Sequence, residues 1–368
     1  MRRMKKTLAV LLLLFIAGAS AAAEFAALTA LPATGIWRTV MQADPLQAAG
    51  CLAEFLLRRS AQALGDPYTM YMDSEEYATF LTETLGTYGG IGVVIQEDGT
   101  NTLIAAVYPD SPAARAGIRP GDVIMTIDGQ DAVGSFATAA DLLQGETGTP
   151  VVLGLERNGV VIGPLVLGRE IIRINPVEAR IIGGDIGYVS IASFNEHAQV
   201  NFVRELNEFQ AGGVKGIILD LRGNPGGLLG QGVAVADALL PAGPIVHILS
   251  RNGQRETLRA EGEGLALPLV ILVDGRTAST AEIVAGAVQD SGAGLLVGTR
   301  TFGKGTIQTL YGLGDGGLRV TVASYLTPDG RRIEREGIKP DRFVPAGSGE
   351  SGDRQLAAGI AAIEALLN

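Results

Sequence analysis

The stretch VKGIILDLRGNPGG, residues 214–227, joins a short apolar segment to a glycine-rich loop. An apolar run that ends in such a loop is typical of a strand buried on both faces of a sheet. The residues that follow, 230–240, have the composition of a helix. The stretch therefore predicts a strand, a loop and a helix in succession, which is the unit that builds parallel sheets.

The same order of strand and helix recurs on both sides of this stretch. Further apolar strands are predicted in DIGYVSIASF (185–194), IVHILS (245–250), PLVILVDG (268–275) and GLLVGTR (294–300), with helices over 197–210 and from Ser279. Apolar strands separated by helices predict an α/β core, residues 171–348, with a mostly parallel sheet covered on both faces. Reactive side chains in such sheets gather in the loops at the carboxyl ends of the strands. Three loops follow such strand ends and are expected to lie together: RGNPGG (222–227), GRTASTAE (275–282) and GTRTFGKG (298–305).

Residues 87–170 differ in texture, with short β segments and two helical pieces that predict a small, partly open β-barrel. Within them, SPAARAGIRPGDVIMTIDG, residues 111–129, resembles the central signature of a PDZ domain. The resemblance implies a groove in which the C-terminal tail of a protein adds to a sheet edge and backbone N–H groups hold its carboxylate. The residues assigned to that carboxylate are Gly89, Gly90, Ile91 and Gly92. A plain tight turn at these glycines is the alternative.

The N-terminus has the order of a secretory signal. The basic segment MRRMKK leads into an apolar run over residues 8–17 and then into the small residues of GASAAAEF. Residues 1–23 are therefore predicted to be a signal peptide, cleaved after Ala21 or Ala23. The chain is then exported, to the periplasm or cell envelope of a bacterium. A retained segment that anchors the chain in the membrane is the alternative.

Two further regions are predicted beside the PDZ domain and the α/β core. The chain is therefore predicted to be a multidomain α/β protein, which taken as a whole is α+β. Residues 24–86 are predicted to be mainly helical, because their apolar residues recur with a helical period. Residues 349–368 are predicted to be a linker followed by an amphipathic helix. That helix either packs on the core of its own chain or contacts a second copy, and a homodimer therefore stays open.

Composition excludes several classes of function. The chain has 368 residues, 47% of them hydrophobic, which is enough for more than one folded core. The net charge of -10 at pH 7 argues against a broad electrostatic affinity for nucleic acid or anionic lipid, which would need a basic face. The single cysteine, Cys51, cannot form an intramolecular disulfide and is predicted to be a small buried residue. The two histidines, His197 and His247, lie in no metal-binding pattern and are predicted to be structural, so no metal site is expected.

Ser279 lies at the predicted start of a helix, where backbone N–H groups and the helix dipole favour developing negative charge. That position suits a nucleophile, although Ser279 or Thr277 could equally serve as the helix cap. Lys304 lies further along the chain in FGKG. A lysine ordinarily has a pKa of about 10.4 and acts as a base only where burial lowers that pKa. Ser–Lys pairs are a known substitute for histidine-based triads.

The segments VDGRTASTAEIVAGAVQDSG (273–292) and GTRTFGKGTIQ (298–308) resemble the C-terminal processing peptidases. These are tail-specific serine proteases that combine a PDZ domain with a Ser–Lys active site. The likeness extends to LGDPYTMYMDSEEYATF, YGGIG, GYVSIASF, LDLRGNPGG and SYLTPDGRRIEREGIKPD. It therefore covers nearly all of the chain after the predicted signal.

The resemblance implies a role for each matching residue. Ser279 is the nucleophile, Lys304 the general base, and Gln308 the residue that orients the lysine. The backbone N–H groups of Gly226 and Thr280 form the oxyanion hole. Glu282 occupies the position of a family carboxylate with a structural role, and no cofactor is implied. The implied partners are the C-terminal tails of protein substrates, and an adaptor or activator protein stays open.

Two positions depart from the family pattern. The loop around the nucleophile commonly reads SASAS, whereas residues 277–281 read TASTA, which leaves Ser279 as the serine of the loop. Gln144 stands where relatives often carry a basic residue. If that residue couples peptide binding to catalysis, the coupling is expected to differ here.

Two other functions compete with this interpretation. The first is a PDZ scaffold that binds peptides without hydrolysing them, against which the intact set of Ser279, Lys304 and Gln308 argues. The second is a histidine-dependent, trypsin-like PDZ protease, whose loop GNSGG is similar to GNPGG at 223–227. Pro225 replaces the serine of that loop, and the predicted core is α/β instead of all-β.

Overall fold

The structure is a computed structural model that describes residues 45–132, 134, 136–347 and 352–367. The predicted signal peptide and the side chain of Cys51 lie outside the described part. The chain divides into two compact units. The smaller unit contains the segment that ends at Phe80 together with 248–256 and 305–325, and the larger unit contains the other residues. Among the described residues, no helix has both the length and the apolar character that a membrane span requires.

The described part of the N-terminal region, 45–86, is mainly helical, as predicted. Its elements are α1 (Pro45–Ala63), β1 (Met70–Met72) and α2 (Ser74–Leu85). Helix α2 begins at Ser74 because Asp73 Oδ1 accepts the N–H groups of Glu75 and Glu76 at 3.1 and 3.0 Å. The Glu76 carboxylate accepts the Asp73 N–H in return, and Arg58 binds both carboxylates. This reciprocal capping satisfies backbone donors that the helix itself leaves unpaired.

The PDZ region forms the predicted barrel of strands with two helices. Its elements are β2 (Thr87–Gly90), β3 (Val93–Asp98), β4 (Asn101–Val107), α3 (Pro112–Arg115), β5 (Val123–Ile127), β6 (Gln130–Asp131), α4 (Phe136–Leu143), β7 (Pro150–Arg157), β8 (Val160–Gly168) and β9 (Glu170–Arg173). The main sheet has the order β3-β4-β5-β7-β8 and is antiparallel. In β7, Val151, Leu153 and Leu155 are fully buried on one face, the period-2 pattern of a half-buried strand.

The C-terminal half contains the predicted α/β core. Its elements are β10 (Val177–Ile182), β11 (Ile186–Ile191), α5 (Ala198–Ala211), β12 (Gly216–Asp220), α6 (Leu229–Leu239), β13 (Pro241–Ser250), β14 (Arg255–Glu263), β15 (Leu269–Val273), α7 (Thr280–Asp290), β16 (Leu295–Gly298), β17 (Thr306–Leu313), β18 (Gly316–Leu326), β19 (Arg342–Phe343) and α8 (Arg354–Leu367). The core sheet has the order β10-β11-β12-β15-β16-β19 and is parallel except for the β10–β11 pair.

One predicted strand belongs to a different sheet. IVHILS forms part of β13, which lies in a second sheet between β18 and β14 and not in the parallel sheet. The sequence pattern does not show which of the two sheets the strand joins, because an apolar strand of this length fits the parallel core sheet and the second sheet equally well.

The C-terminal helix packs on the core of its own chain. Ala362 and Ile363 of α8 are buried against a cluster that includes Tyr188, Ile218 and Val270 on one face of the sheet. Neighbouring residues along the strands, such as Ile217, point to the opposite face and are also fully buried. Both faces of the parallel sheet are therefore covered, as its apolar strands predicted.

Candidate active site

Three loops meet at the carboxyl ends of neighbouring strands. Strands β12, β15 and β16 lie side by side, so the loops after them, 221–228, 274–279 and 299–305, share one edge of the sheet. Hydrogen bonds join them: Ala278 N–H donates to the Asn224 carbonyl at 2.9 Å. The N–H of Phe302 donates to the Thr277 carbonyl at 3.0 Å. The expected gathering of these loops is confirmed.

Ser279 has a strained backbone at the turn from β15 into α7. Its φ of 56° and ψ of -121° lie in a region that L-residues rarely adopt. An ordinary helix cap has an extended backbone, so capping alone does not account for this conformation. A strained serine between a strand and a helix is the arrangement of a nucleophile elbow, which presents the hydroxyl at the sheet edge. The other candidate cap, Thr277, instead donates its hydroxyl to the Leu221 carbonyl at 2.8 Å.

Glu282 joins the Ser279 loop to the Lys304 loop. Its fully buried carboxylate accepts the N–H groups of Ser279 and Lys304 on Oε2, both at 2.9 Å. On Oε1 it accepts the Gly303 N–H at 2.8 Å and the Thr301 hydroxyl at 2.5 Å. One side chain thus fixes the backbone on both sides of the site.

Burial raises the pKa of the Glu282 carboxyl, because it disfavours the charged form. The hydrogen bonds from Thr301, Lys304, Gly303 and Ser279 act in the opposite direction. The bridging role of Glu282 goes beyond the general structural role that the resemblance implied. Its signal in the sequence is Ser279-Thr280-Ala281-Glu282, which fits the spacing of a capping box.

Gly226 lies directly against the nucleophile loop. A Cβ at this position would lie 2.8 Å from Ser279 Cβ and 3.0 Å from the Thr280 nitrogen, and the φ of 101° also favours glycine. The Gly226 N–H donates to Asn224 Oδ1 at 2.8 Å. The Thr280 hydroxyl donates to the Gly227 carbonyl at 2.9 Å and so holds the two loops together.

We expect Gly226→Ala to lower peptide-bond hydrolysis by about 10²-fold or more, the scale expected if the oxyanion donor predicted at this position is displaced. The added methyl group would displace Ser279 or Thr280, and the backbone strain would cost about 1–3 kcal/mol of stability. Gly230→Ala is the matched control, because a Cβ at Gly230 meets no atom within 4 Å. Initial rates of hydrolysis of an unfolded protein measure the effect on activity, and melting temperatures measure the effect on stability. Unchanged hydrolysis in Gly226→Ala would contradict the close approach of Gly226 to Ser279 and Thr280.

Lys304 and Gln308 belong to different compact units. Lys304 is half-buried and ends a segment of the larger unit. Gln308 lies in β17 of the smaller unit, where its side-chain amide donates to the hydroxyls of Thr306 and Thr321 at 2.9 and 3.2 Å. The orienting role of Gln308 stays a prediction.

The PDZ region contains a small cavity between β3 and α4. Its volume is about 60 Å³, and its lining includes Tyr88, Ile91, Gly92, Leu143 and Gln144. Of the four residues assigned to the substrate carboxylate, Ile91 and Gly92 therefore line the cavity. The other two, Gly89 and Gly90, pair with β9 in a short antiparallel ladder. Burial raises the pKa of Tyr88 to about 12, so its phenol stays neutral at physiological pH.

Comparisons with known proteins agree with this architecture. A sequence profile of peptidase family S41 matches residues 185–344, and a PDZ-domain profile matches residues 103–157. The carboxy-terminal-processing protease of Bartonella bacilliformis is 40% identical over 293 residues, which cover 76% of this chain and 66% of that protein. The corresponding protease of Synechocystis is 40% identical over 291 residues, covering 76% of this chain and 68% of the relative.

A solved structure supports the fold independently. The crystal structure of an S41 protease from Bacteroides fragilis aligns with a TM-score of 0.52 and 18% identity, covering 85% of this chain and 90% of that one. The chain spans about two thirds of the length of the two curated relatives described above. With its PDZ domain and S41 core, the chain belongs to the carboxy-terminal processing proteases of peptidase family S41.

Proposed function

We propose that this protein is a serine endopeptidase in which Ser279 attacks the peptide bond and Lys304 serves as the general base. The observation that carries the proposal is the buried Glu282 carboxylate, which accepts the backbone N–H groups of both residues. A shared acceptor keeps the two loops in a fixed relation, which a nucleophile and its base require. Hydrolysis of an unfolded reporter protein with an apolar C-terminus tests the activity directly.

The reaction proceeds in two stages. Neutral Lys304 takes the proton of the Ser279 hydroxyl as its oxygen attacks the scissile carbonyl, and a tetrahedral oxyanion forms. The C–N bond then breaks, and the amine leaves with the proton from Lys304. Water, activated by the lysine, attacks the acyl-enzyme and releases the carboxylate product and Ser279. No cofactor takes part in these steps.

The oxyanion is assigned to the backbone of Thr280 and Gly226. Thr280 is the first residue of α7, so its N–H has no acceptor within the helix and lies at the positive end of the helix dipole. The Gly226 N–H is held by Asn224 Oδ1, so it can serve the oxyanion only after leaving that side chain. In this proposal Thr280 is the donor already in place, and Gly226 joins it when substrate binds.

Substrate selection is assigned to the PDZ domain. The cavity between β3 and α4 is largely apolar, with Ile91, Ile95 and Leu143 in its lining. It suits an apolar C-terminal side chain, and an extended tail would add to the edge of β3. The clients are then proteins with apolar C-terminal tails in the periplasm or cell envelope, which the predicted signal would allow the enzyme to reach. A homodimer and an adaptor or activator protein remain predictions.

We expect Ala140→Phe to raise the KM for an unfolded protein substrate by about tenfold, or about 1.4 kcal/mol of binding. Ala140 lines the cavity from α4, so a phenyl ring there would occupy the space of the substrate side chain. Ala137→Phe is the matched control, because Ala137 is exposed on the same helix and does not line the cavity. Steady-state kinetics with a reporter that ends in an apolar residue measure the difference. Equal KM values in the two variants would contradict recognition through this cavity.

A further inference from the structure

A basic pocket lies outside the proposed active site. It has a volume of about 350 Å³. Four cationic residues line it: Arg300, Arg331, Arg332 and Lys339. All four are exposed, and they are brought together in a chain whose net charge is -10. A concentration of positive charge against that overall balance calls for an anionic occupant.

Most of this positive charge is not neutralised by the protein. Arg331 forms an ion pair with Asp290. Among the described residues, the other three cations of the pocket form no ion pair. Glu336 is the one carboxylate in the lining. Three cations and one carboxylate leave two positive charges, which a dianion would balance.

The wall and floor of the pocket are held in place. Arg300 Nη1 donates to the Glu336 carbonyl at 2.6 Å and so closes one side. Ile333 and Ile338, both buried, supply apolar surface to the lining. The volume exceeds that of a bare phosphate ion, so the pocket fits a dianionic head on a small carbon body.

We propose that this pocket binds a phosphate monoester, with the phosphate on Arg300, Arg332 and Lys339 and the carbon body against Ile333 and Ile338. Guanidinium groups bind phosphate oxygens in pairs, and a monoester carries close to two negative charges at neutral pH. A single carboxylate would neutralise only one of the two excess charges.

The pocket adjoins the loop that carries the proposed base. The Ile338 N–H donates to Thr301 Oγ1 at 2.7 Å, and the Thr301 hydroxyl donates to Glu282 at 2.5 Å. An occupant that orders the segment around Ile338 therefore also stabilises the support of the active site. The binding itself does not rest on the proposed hydrolysis, since the pocket uses other residues.

The test is calorimetric titration of the Ser279→Ala protein with glycerol 3-phosphate at low salt, with a parallel assay on vesicles that contain phosphatidic acid. We expect saturable binding in at least one arm, and the arm identifies a free metabolite or a lipid headgroup as the source. Arg300→Gln/Arg332→Gln should raise the Kd at least about tenfold. Arg332→Gln alone, which leaves the Arg300 contact to Glu336 intact, should raise it in the same direction.

Arg173→Gln is the matched control, because Arg173 is exposed on β9 and lies outside the pocket. It should bind like the parent protein. Absence of binding in both arms, or equal binding by the double variant, would overturn the proposal. Malonate, a dicarboxylate of similar charge, should bind more weakly, and equal or tighter binding of malonate would overturn the assignment to phosphate.

Discussion

Replacing Ser279 by alanine is expected to lower peptide-bond hydrolysis by about 10⁴-fold or more, the loss seen when a nucleophilic serine is removed from a serine protease. The substitution deletes only the hydroxyl. The backbone N–H that donates to Glu282 remains, and so does the turn between β15 and α7. The loss should therefore appear in kcat without a large change in stability.

Ser291→Ala is the matched control for this substitution. Ser291 follows the last turn of α7, where its hydroxyl donates to the Val288 carbonyl at 3.1 Å. Initial rates on the unfolded reporter, with circular dichroism to confirm folding, compare the two variants. Hydrolysis retained in Ser279→Ala would show that another residue forms the acyl-enzyme. A folded parent protein that binds the peptide without cleaving it would favour a PDZ scaffold.

Replacing Lys304 by methionine is expected to lower kcat by about 10²- to 10⁴-fold, the range for loss of a general base. Methionine keeps an unbranched apolar side chain but cannot accept a proton. The backbone N–H of residue 304 still donates to Glu282, so the loop retains its support. The expected effect is therefore on proton transfer, with KM nearly unchanged.

Lys215→Met controls for the loss of a lysine. Lys215 is exposed and pairs with Asp185 at 3.1 Å, and it immediately precedes β12, at the opposite end of that strand from the loop 221–228. The test of Lys304 as the general base compares hydrolysis rates on one reporter for the parent protein, Lys304→Met and Lys215→Met. Equal rates in all three would remove Lys304 from the mechanism.

Much of the fold followed from the sequence because its signals are local. The apolar run before Gly223 and the apolar period along β7 each specify an element from neighbouring residues alone. The three loops could be expected to meet because parallel strands end at one edge of a sheet. The position of Ser279 at the start of a helix was also a local signal, and it was compatible with two roles, nucleophile and helix cap.

Contacts between residues distant in sequence could not be predicted in this way. The assignment of IVHILS to the parallel sheet was wrong because an apolar strand does not reveal its partner, and its partner β18 lies much further along the chain. The hydrogen bonds from Thr301 and Gly303 to Glu282 likewise depend on how two loops pack. The strained φ of Ser279 follows from that packing and from no preference of serine itself.

The most direct test of the Ser–Lys mechanism is to locate the acyl group during turnover. An apolar peptide ester with a good leaving group is mixed with the enzyme, quenched in acid within the first turnover, and analysed by peptide mapping and mass spectrometry. A Ser–Lys mechanism predicts an acyl adduct on Ser279 that is absent from Ser279→Ala and forms at least about 10²-fold more slowly in Lys304→Met. An adduct on a different residue, or one that forms at the same rate without Lys304, would contradict it.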